Sequence, residues 1–322
     1  MISIIIPSAG SITAVRRLCD SILQQNVAEE IEVYVVANPD SRELSRLLRG
    51  YPSYFHYLSS ERGANKARNQ GIKESRGRYL FFFDDDCILP TRDYLTTSIR
   101  HLDAHPDCMG YGGPYKSQRS PESRYGRAYF YLQCKWLFEG AATDDQARYF
   151  VGGNMALRRE LFEIYGPFTE DLKFGGTETE FFARLRHERL DFDKDHFLWH
   201  DYELKRSQFL RKAFLQGLGS RYIQHRYPNR RRASIIYGKQ ALLRELDLPS
   251  VSEKCLNLYR SAFHAGEIYY ETHRSTQIPS RILRWELFKL GSSSILEKTK
   301  KTLDDLICIV ENLRTNDRLK LR

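Results

Sequence analysis

Tyr79-Leu80-Phe81-Phe82-Phe83-Asp84-Asp85-Asp86 is the stretch whose reading decides the fold. Five apolar or aromatic residues run straight into three carboxylates. Bounded by Gly77 and Pro90, the short run reads as a buried strand. Three acids cannot continue inside a core unless they are paired, so the strand ends where they begin. In an open parallel sheet, ligands bind beyond the carboxyl ends of the strands. Carboxylates clustered at such an edge are hard oxygen ligands. They suit Mn2+ or Mg2+, with part of the coordination shell left to substrate phosphates. The plain alternative is a solvated acidic turn.

Upstream of this strand the pattern alternates. Ile2–Ile6 is followed by the amphipathic Ile12–Gln25, Ile31–Val36 by Arg42–Arg49, and Tyr54–Leu58 by Ala64–Ser75. Such alternation predicts an α/β fold, a parallel sheet with helices on its faces. Residues 105–200 are mixed. Within them Gly110-Tyr111-Gly112-Gly113-Pro114 reads as a strand with close backbone approach, and Gly140 to Gln146 is small and polar. After His200 the pattern turns helical, with Phe209, Leu210, Phe214, Leu215 and Leu218 on one period. Residues 232–322 read as several helices broken near Pro249, Pro279 and Gly291.

The 322 residues are 41% hydrophobic and 28% charged, enough for one large domain and an appendage. The formal net charge of +9 suits phosphate-bearing ligands, an anionic membrane or nucleic acid. No aromatic-basic platform or known nucleic-acid motif accompanies it, so no nucleic-acid partner is expected. The six cysteines (Cys19, Cys87, Cys108, Cys134, Cys255 and Cys308) are scattered, with no C-x-x-C pair. They read as reduced thiols of a cytoplasmic protein rather than a disulfide framework or zinc site. No apolar stretch approaches the roughly 20 residues that span a bilayer. The basic run His225-Arg226-Tyr227-Pro228-Asn229-Arg230-Arg231-Arg232 could attract the anionic inner face of the cell membrane or serve as a solvated linker.

Six further segments share an order. Gly63-Ala64-Asn65-Lys66-Ala67-Arg68-Asn69-Gln70-Gly71-Ile72 and Gly77-Arg78-Tyr79 precede the acids. Gly152-Gly153-Asn154-Met155-Ala156-Leu157-Arg158-Arg159 and Gly166-Pro167-Phe168-Thr169-Glu170 follow them. Gly176-Thr177-Glu178-Thr179-Glu180-Phe181 and Trp199-His200 come last. Together with the D-x-D pair, this set resembles the ordered motifs of glycosyltransferase family 2 over roughly residues 1 to 220. The resemblance implies a GT-A fold, Rossmann-like and mostly parallel, with helices on both faces and a C-terminal helical extension. The catalytic domain is then expected at 1–225, with a nucleotide-sugar half at 1–104 and an acceptor half at 105–225. A helical region follows at 226–322.

The resemblance also implies a reaction: inverting, metal-dependent transfer of one sugar from a nucleoside-diphosphate sugar, a UDP-sugar in the first instance, to a hydroxyl. The acceptor would be a glycan, a lipid-linked intermediate or a peptide, in surface polysaccharide or glycoconjugate synthesis. The Q-x-x-R-W pattern of processive synthases is absent. A second reading is a GT-A scaffold without catalysis that works through its helical tail. The chain departs from the family pattern at Ala37, where an Asp that helps read the base is usual. It departs again at Thr177-Glu178, where Glu-Asp is usual.

The implied site follows residue by residue. Asp84 and Asp86 hold the metal, with Asp84 also near the donor, and His200 is a candidate third ligand or a structural histidine. Glu178 is the candidate general base, removing the acceptor proton as the nucleophile attacks. Thr177 and Glu180 form a capping-box pattern that sets Glu178 at the first helical position, where free N–H groups and the dipole stabilise negative charge. Pro7, Ser8, Ala9, Asn38, Asp40, Arg68, Asn69 and Asp85 are the expected nucleotide-sugar contacts. Arg68 is also read as an ion-pair partner of the acids, and Asp85 as an acceptor of backbone hydrogen bonds. Gly112, Gly113, Gly153, Asn154 and Glu180 are placed on the acceptor side, and one of Arg158 and Arg159 is expected to buttress it. The tail helices are expected to pack on the catalytic domain or on a second subunit.

Overall fold

The computed structural model of the protein describes residues 1–141, 150–172, 177–185, 188–228 and 251–275. Its first half builds strands β1 (Ile2–Ser8), β2 (Ile31–Ala37), β3 (Phe55–Ser59) and β4 (Tyr79–Phe83). Between them lie helices α1 (Ile12–Leu23), α2 (Arg42–Leu48) and α3 (Ala64–Glu74). β3–β2–β1–β4 is wholly parallel, with β1, β2 and β4 buried and β3 at the edge. β4 shows why its sequence is apolar without alternation. Successive side chains point to opposite faces, and both faces are core. Tyr79, Phe81 and Phe83 join one apolar cluster, while Leu80 and Phe82 join another with Phe162, Phe168 and Phe181. β1 divides its Ile4 and Ile5 between the same two clusters.

The second half adds β5 (Cys87–Ile88), α4 (Tyr94–Ala104), β6 (Cys108–Gly112), β7 (Tyr115–Lys116) and α5 (Arg124–Ala141). It continues with β8 (Asn154–Arg158), α6 (Glu160–Tyr165), α7 (Thr177–Arg184), β9 (Arg189–Phe192) and β10 (Leu198–His200). β8 runs antiparallel between β4 and β6, and β6 pairs parallel with β9, giving the order β3-β2-β1-β4-β8-β6-β9. A small sheet, β5-β10-β7, lies over the end of β4. The order turns back at β1 and β4, so the loops after Ser8 and Phe83 open side by side. That is where an open α/β sheet binds its ligand.

The long α8 (Arg206–Arg226) follows, and α9 (Glu253–Ser275) packs along it. The backbones come close at two glycines. A β-carbon on Gly217 would stand 1.8 Å from the Phe263 carbonyl oxygen, and one on Gly266 would stand 2.0 Å from that of Phe214. Aromatic contacts between Phe209 and Tyr259 and between Phe214 and Tyr269 close the seam. This part of the tail therefore lies on the catalytic domain; the helices expected at 229–250 and 276–322 fall outside the described residues. Cys19, Cys87, Cys108, Cys134 and Cys255 are buried free thiols. Among the described residues no helix is long and apolar enough to cross a membrane.

Candidate active site

The three acids after β4 fan out to separate partners. Asp84 accepts from the Tyr115 hydroxyl at 2.7 Å and from Arg68 Nη2 at 3.3 Å. Asp85 turns toward β1 and accepts from the Ser8 hydroxyl at 2.6 Å. Asp86 faces His200, with Nε2 3.3 Å from its carboxylate. The side chains of Asp84 and Asp86 keep 33% and 37% of their surface, so both remain open to a ligand. Burial raises the Asp86 carboxyl above its usual range, against the pull of His200, and the Asp84 charge adds to the rise. Burial likewise pushes Asp85 up to about 7, opposed by its Ser8 hydrogen bond. Crowded acids of this kind are a frequent mark of functional sites.

Two glycines bring the remaining groups to the acids. A β-carbon at Gly153 would stand 2.4 Å from both the Asp84 amide nitrogen and the Tyr115 hydroxyl. One at Gly152 would stand 2.7 Å from Arg68 Nη2 and 3.3 Å from Glu178 Oε2. Only bare backbone fits between these groups. The Gly152-Gly153 segment is thus the wall against which Asp84, Arg68 and Glu178 come together. Arg68 is 3% exposed. It donates to Asn65 at 3.1 Å, to the Gly152 carbonyl at 3.2 Å and to Asp84, so it holds the acid in place. Glu178 occupies the first turn of α7.

His200 ends β10 and stacks on Tyr115, with ring centroids 4.5 Å apart. Its Nδ1 is buried with no hydrogen-bond partner. Two carboxylates and an imidazole form a mixed oxygen and nitrogen donor set of the kind Mn2+ accepts. Asp86, raised by burial, and an imidazole whose Nδ1 has no hydrogen-bond partner among the described residues are groups a cation would relieve. By donor type the residues present fit a divalent metal, although the ligand atoms of Asp84, Asp86 and His200 do not all lie within 4.8 Å of one another, as those of His101, Cys108 and Asp191 do.

A sequence model of Glycosyl transferase family 2 matches residues 3–166, just over half of the chain. The chain belongs to glycosyltransferase family 2. A Bacillus subtilis (strain 168) protein described as the uncharacterized glycosyltransferase YfnE is 31% identical over 107 residues. That match covers 32% of this chain and 26% of the relative, so the chain matches about a quarter of the relative's length. Among solved structures, the mannosyltransferase PcManGT from Pyrobaculum calidifontis, in complex with GDP-Man and Mn2+, superposes with a TM-score of 0.57 at 17% identity. The match covers 98% of this chain and 87% of that one. Residues 1–349 of TarS from S. aureus give 0.50 at 15% identity, covering 98% and 91%. The fold is GT-A.

Several residues expected to touch ligand are engaged in the framework instead. Asn69 holds the Gly166–Glu170 segment, donating to the Phe168 carbonyl at 2.9 Å and accepting the Phe168 amide at 3.0 Å. Asn154, 1% exposed, donates to the Pro114 and His196 carbonyls and accepts from Tyr94. Gly112 and Gly113 are buried where β6 meets the Asn154 and His196 carbonyls. Glu180, 2% exposed, accepts from Tyr227 at 2.6 Å and pairs with Arg184 at 3.4 Å. Its carboxylate ties α7 to the end of α8 rather than capping α7 or facing an acceptor. Arg158 and Arg159 clamp backbone carbonyls, Arg158 those of Leu102 and Cys108, Arg159 that of Gly77.

At the nucleotide end, Ser8 is buried and Asn38 donates to its carbonyl at 3.0 Å. Pro7 and Ser8 pair with Val36 and Ala37 in the β1–β2 ladder. Ala9 follows at the mouth, its amide bonded to Asp85. Asp40 accepts from Tyr57 at 2.5 Å and lines a cleft of about 340 Å³ with Arg42, Arg46 and Arg49. The sequence reading missed Tyr115. Its hydroxyl donates to Asp84, accepts the Gly153 amide at 2.7 Å, and its ring supports His200. Nothing local in Gly113-Pro114-Tyr115 signals that role.

Proposed function

We propose that the protein is an inverting, divalent-metal-dependent transferase of a single sugar from a nucleoside-diphosphate sugar to a hydroxyl acceptor. The observation that carries this reading is the convergence of Asp84, Arg68 and Glu178 on the Gly152-Gly153 wall at the sheet's switch point, with the Asp86–His200 pair following Asp84 in the same loop. Asp84, Asp86 and His200 would hold Mn2+ or Mg2+, which when bound neutralises the diphosphate charge as the glycosidic bond breaks. Ser8, Ala9, Asn38 and Asp40, at the ends of β1 and β2, offer backbone and polar edges to a nucleoside. Arg68 keeps Asp84 aimed. Glu178 takes the proton from the acceptor hydroxyl, so that the oxygen attacks the anomeric carbon opposite the leaving diphosphate. One such displacement inverts the anomeric centre.

Support comes from the family membership and from the fit of the donor set to a metal. The GDP-Man and Mn2+ held by PcManGT, and the UDP-GlcNAc held by TarS in another of its structures, leave the base open between uracil and guanine. Ala37 stands where the base-reading Asp is usual, so no side chain there decides it. The experiment is a screen of UDP- and GDP-sugars with Mn2+, followed by NMR of the product's anomeric proton. Transfer or slow hydrolysis with inversion supports the reading. A retained anomeric configuration contradicts the single displacement, and the absence of turnover with every donor would favour a non-catalytic scaffold.

A further inference from the structure

One cation in this region has no place in the reaction above. Lys212 lies on α8, one turn before Gln216. It is exposed, and its amine stands over the Tyr129 ring at 5.1 Å from the centroid. Tyr129, on α5, is fixed at its hydroxyl, which accepts from Gln133 at 3.0 Å and from Gln216 at 3.1 Å. Gln216 in turn accepts from the Tyr259 hydroxyl of α9. Three helices therefore meet at one polar chain, Tyr259 to Gln216 to Tyr129, with Lys212 standing at its open end.

That end is joined to the site by a row of rings: Tyr129 stands 6.4 Å from Tyr202, and Tyr202 4.6 Å from His200, centroid to centroid. Tyr129 first, then Asp86, Asp84 and Glu178, act on Lys212 to raise its pKa, opposed by desolvation, and Lys212 in turn lowers that of Asp86. Lys212, over the ring at the outer end of that row, is thus within electrostatic reach of Asp84, Asp86 and Glu178. A flexible lysine in open solvent would not hold such a position. Here the aromatic face of Tyr129 supports the cation, and the α5–α8–α9 chain holds that face. The free site offers Lys212 the three carboxylates. A bound donor brings its own negative charge to the same mouth.

We propose that Lys212 is a donor-binding residue that contacts the diphosphate of the nucleotide sugar and takes up charge on the leaving group. This rests on the nucleotide-sugar reading of the site. Lys212 would supply, from the protein, a positive charge on the side of the diphosphate away from Asp84 and Asp86. The charge is in place before the bond breaks, the arrangement that stabilises a transition state without reorganisation. It also gives α9 a task in catalysis, since α9 reaches the site through Gln216 and Tyr129.

The test is the affinity of UDP, UMP, GDP and GMP for the full-length chain with Mn2+, in wild type, Lys212→Met and Lys212→Arg. Methionine keeps the length of the side chain and its contact with Tyr129 without the charge. The expected result is a roughly tenfold loss of diphosphate affinity in Lys212→Met, the scale of one charge-assisted hydrogen bond. The monophosphate should change little, and Lys212→Arg should recover most of the loss. Diphosphate affinity unchanged in Lys212→Met overturns the assignment. So does an equal loss for mono- and diphosphate, which marks Lys212 as structural. A wild-type chain that binds none of the four nucleotides overturns the donor reading itself, and this assignment with it.

Discussion

Glu178 reaches the site from the first turn of α7, against Gly152 and beside Arg68. It is one methylene longer than the aspartate usual in the family, and the glycine wall leaves room for that length. Glu178→Gln keeps the shape and removes the base. Turnover should fall roughly 100-fold or more, while Mn2+-dependent nucleotide affinity changes little. Equal loss of nucleotide affinity would mark the residue as structural. At this scale the sequence was most legible where residue type is tied to chemistry. Asp84 and Asp86 end β4, Asp86 pairs with His200, and Glu178 lies against Gly152 beside Arg68. It was least legible for polar residues inside the motifs. Asn69, Asn154, Glu180, Arg158 and Arg159 looked ligand-facing, yet each satisfies a framework partner distant in sequence. A buried polar group must be paired, but a motif does not say with what. Tyr115 and Lys212 went unnoticed for the converse reason, since their partners lie on other elements.

The strands and helices of the first half lie within a residue or two of their sequence expectations, because hydrophobic periodicity and short polar breaks define them. Strand direction was not legible. β8 inserts antiparallel between β4 and β6, and an apolar run carries no arrow. The turn between β9 and β10 holds another feature that only tertiary packing creates. His196 is buried, with its Nε2 2.8 Å from the Ser98 hydroxyl of α4 and its ring stacked on Tyr94. Burial lowers its pKa to about 4, partly opposed by Asp193, with His101 adding to the fall and Asp93 resisting it. In the unfolded chain a histidine titrates near about 6.5. Below that pH the unfolded state binds the proton first, so this contribution to stability is complete above about 6.5 and is lost as pH falls toward 4. NMR of the imidazole should show a midpoint near 4. A midpoint near the unperturbed value would contradict the buried neutral form. The α8–α9 seam makes its own prediction. Gly217→Ala drives a methyl into the Phe263 carbonyl, and overpacking of that kind costs about 1–3 kcal/mol. A thermal melt should show the loss, and an unchanged midpoint would place α9 elsewhere.

Across the whole molecule, the sheet edge and the Gly152-Gly153 wall frame one site, and the α5–α8–α9 layer joins it through the Tyr129, Tyr202 and His200 rings. The net charge of +9 suits a donor that arrives as an anion. The tail was only half legible. Its apolar period announced helices with a face to bury, and α9 does bury one on α8, but no motif connected that face to the chemistry of the acids. The central claim is that the carboxylates after β4 bind a nucleoside diphosphate through a divalent metal. Asp86 contributes ligand chemistry more than packing, since its side chain remains over a third exposed. Calorimetric titration of UDP and of GDP into wild type and Asp86→Ala, with Mn2+ and with EDTA, tests this most directly. One of the two nucleotides should bind wild type in Mn2+ and not in EDTA, and Asp86→Ala should lose that binding while melting near the wild-type temperature. Nucleotide binding that ignores both the metal and the mutation would contradict the account.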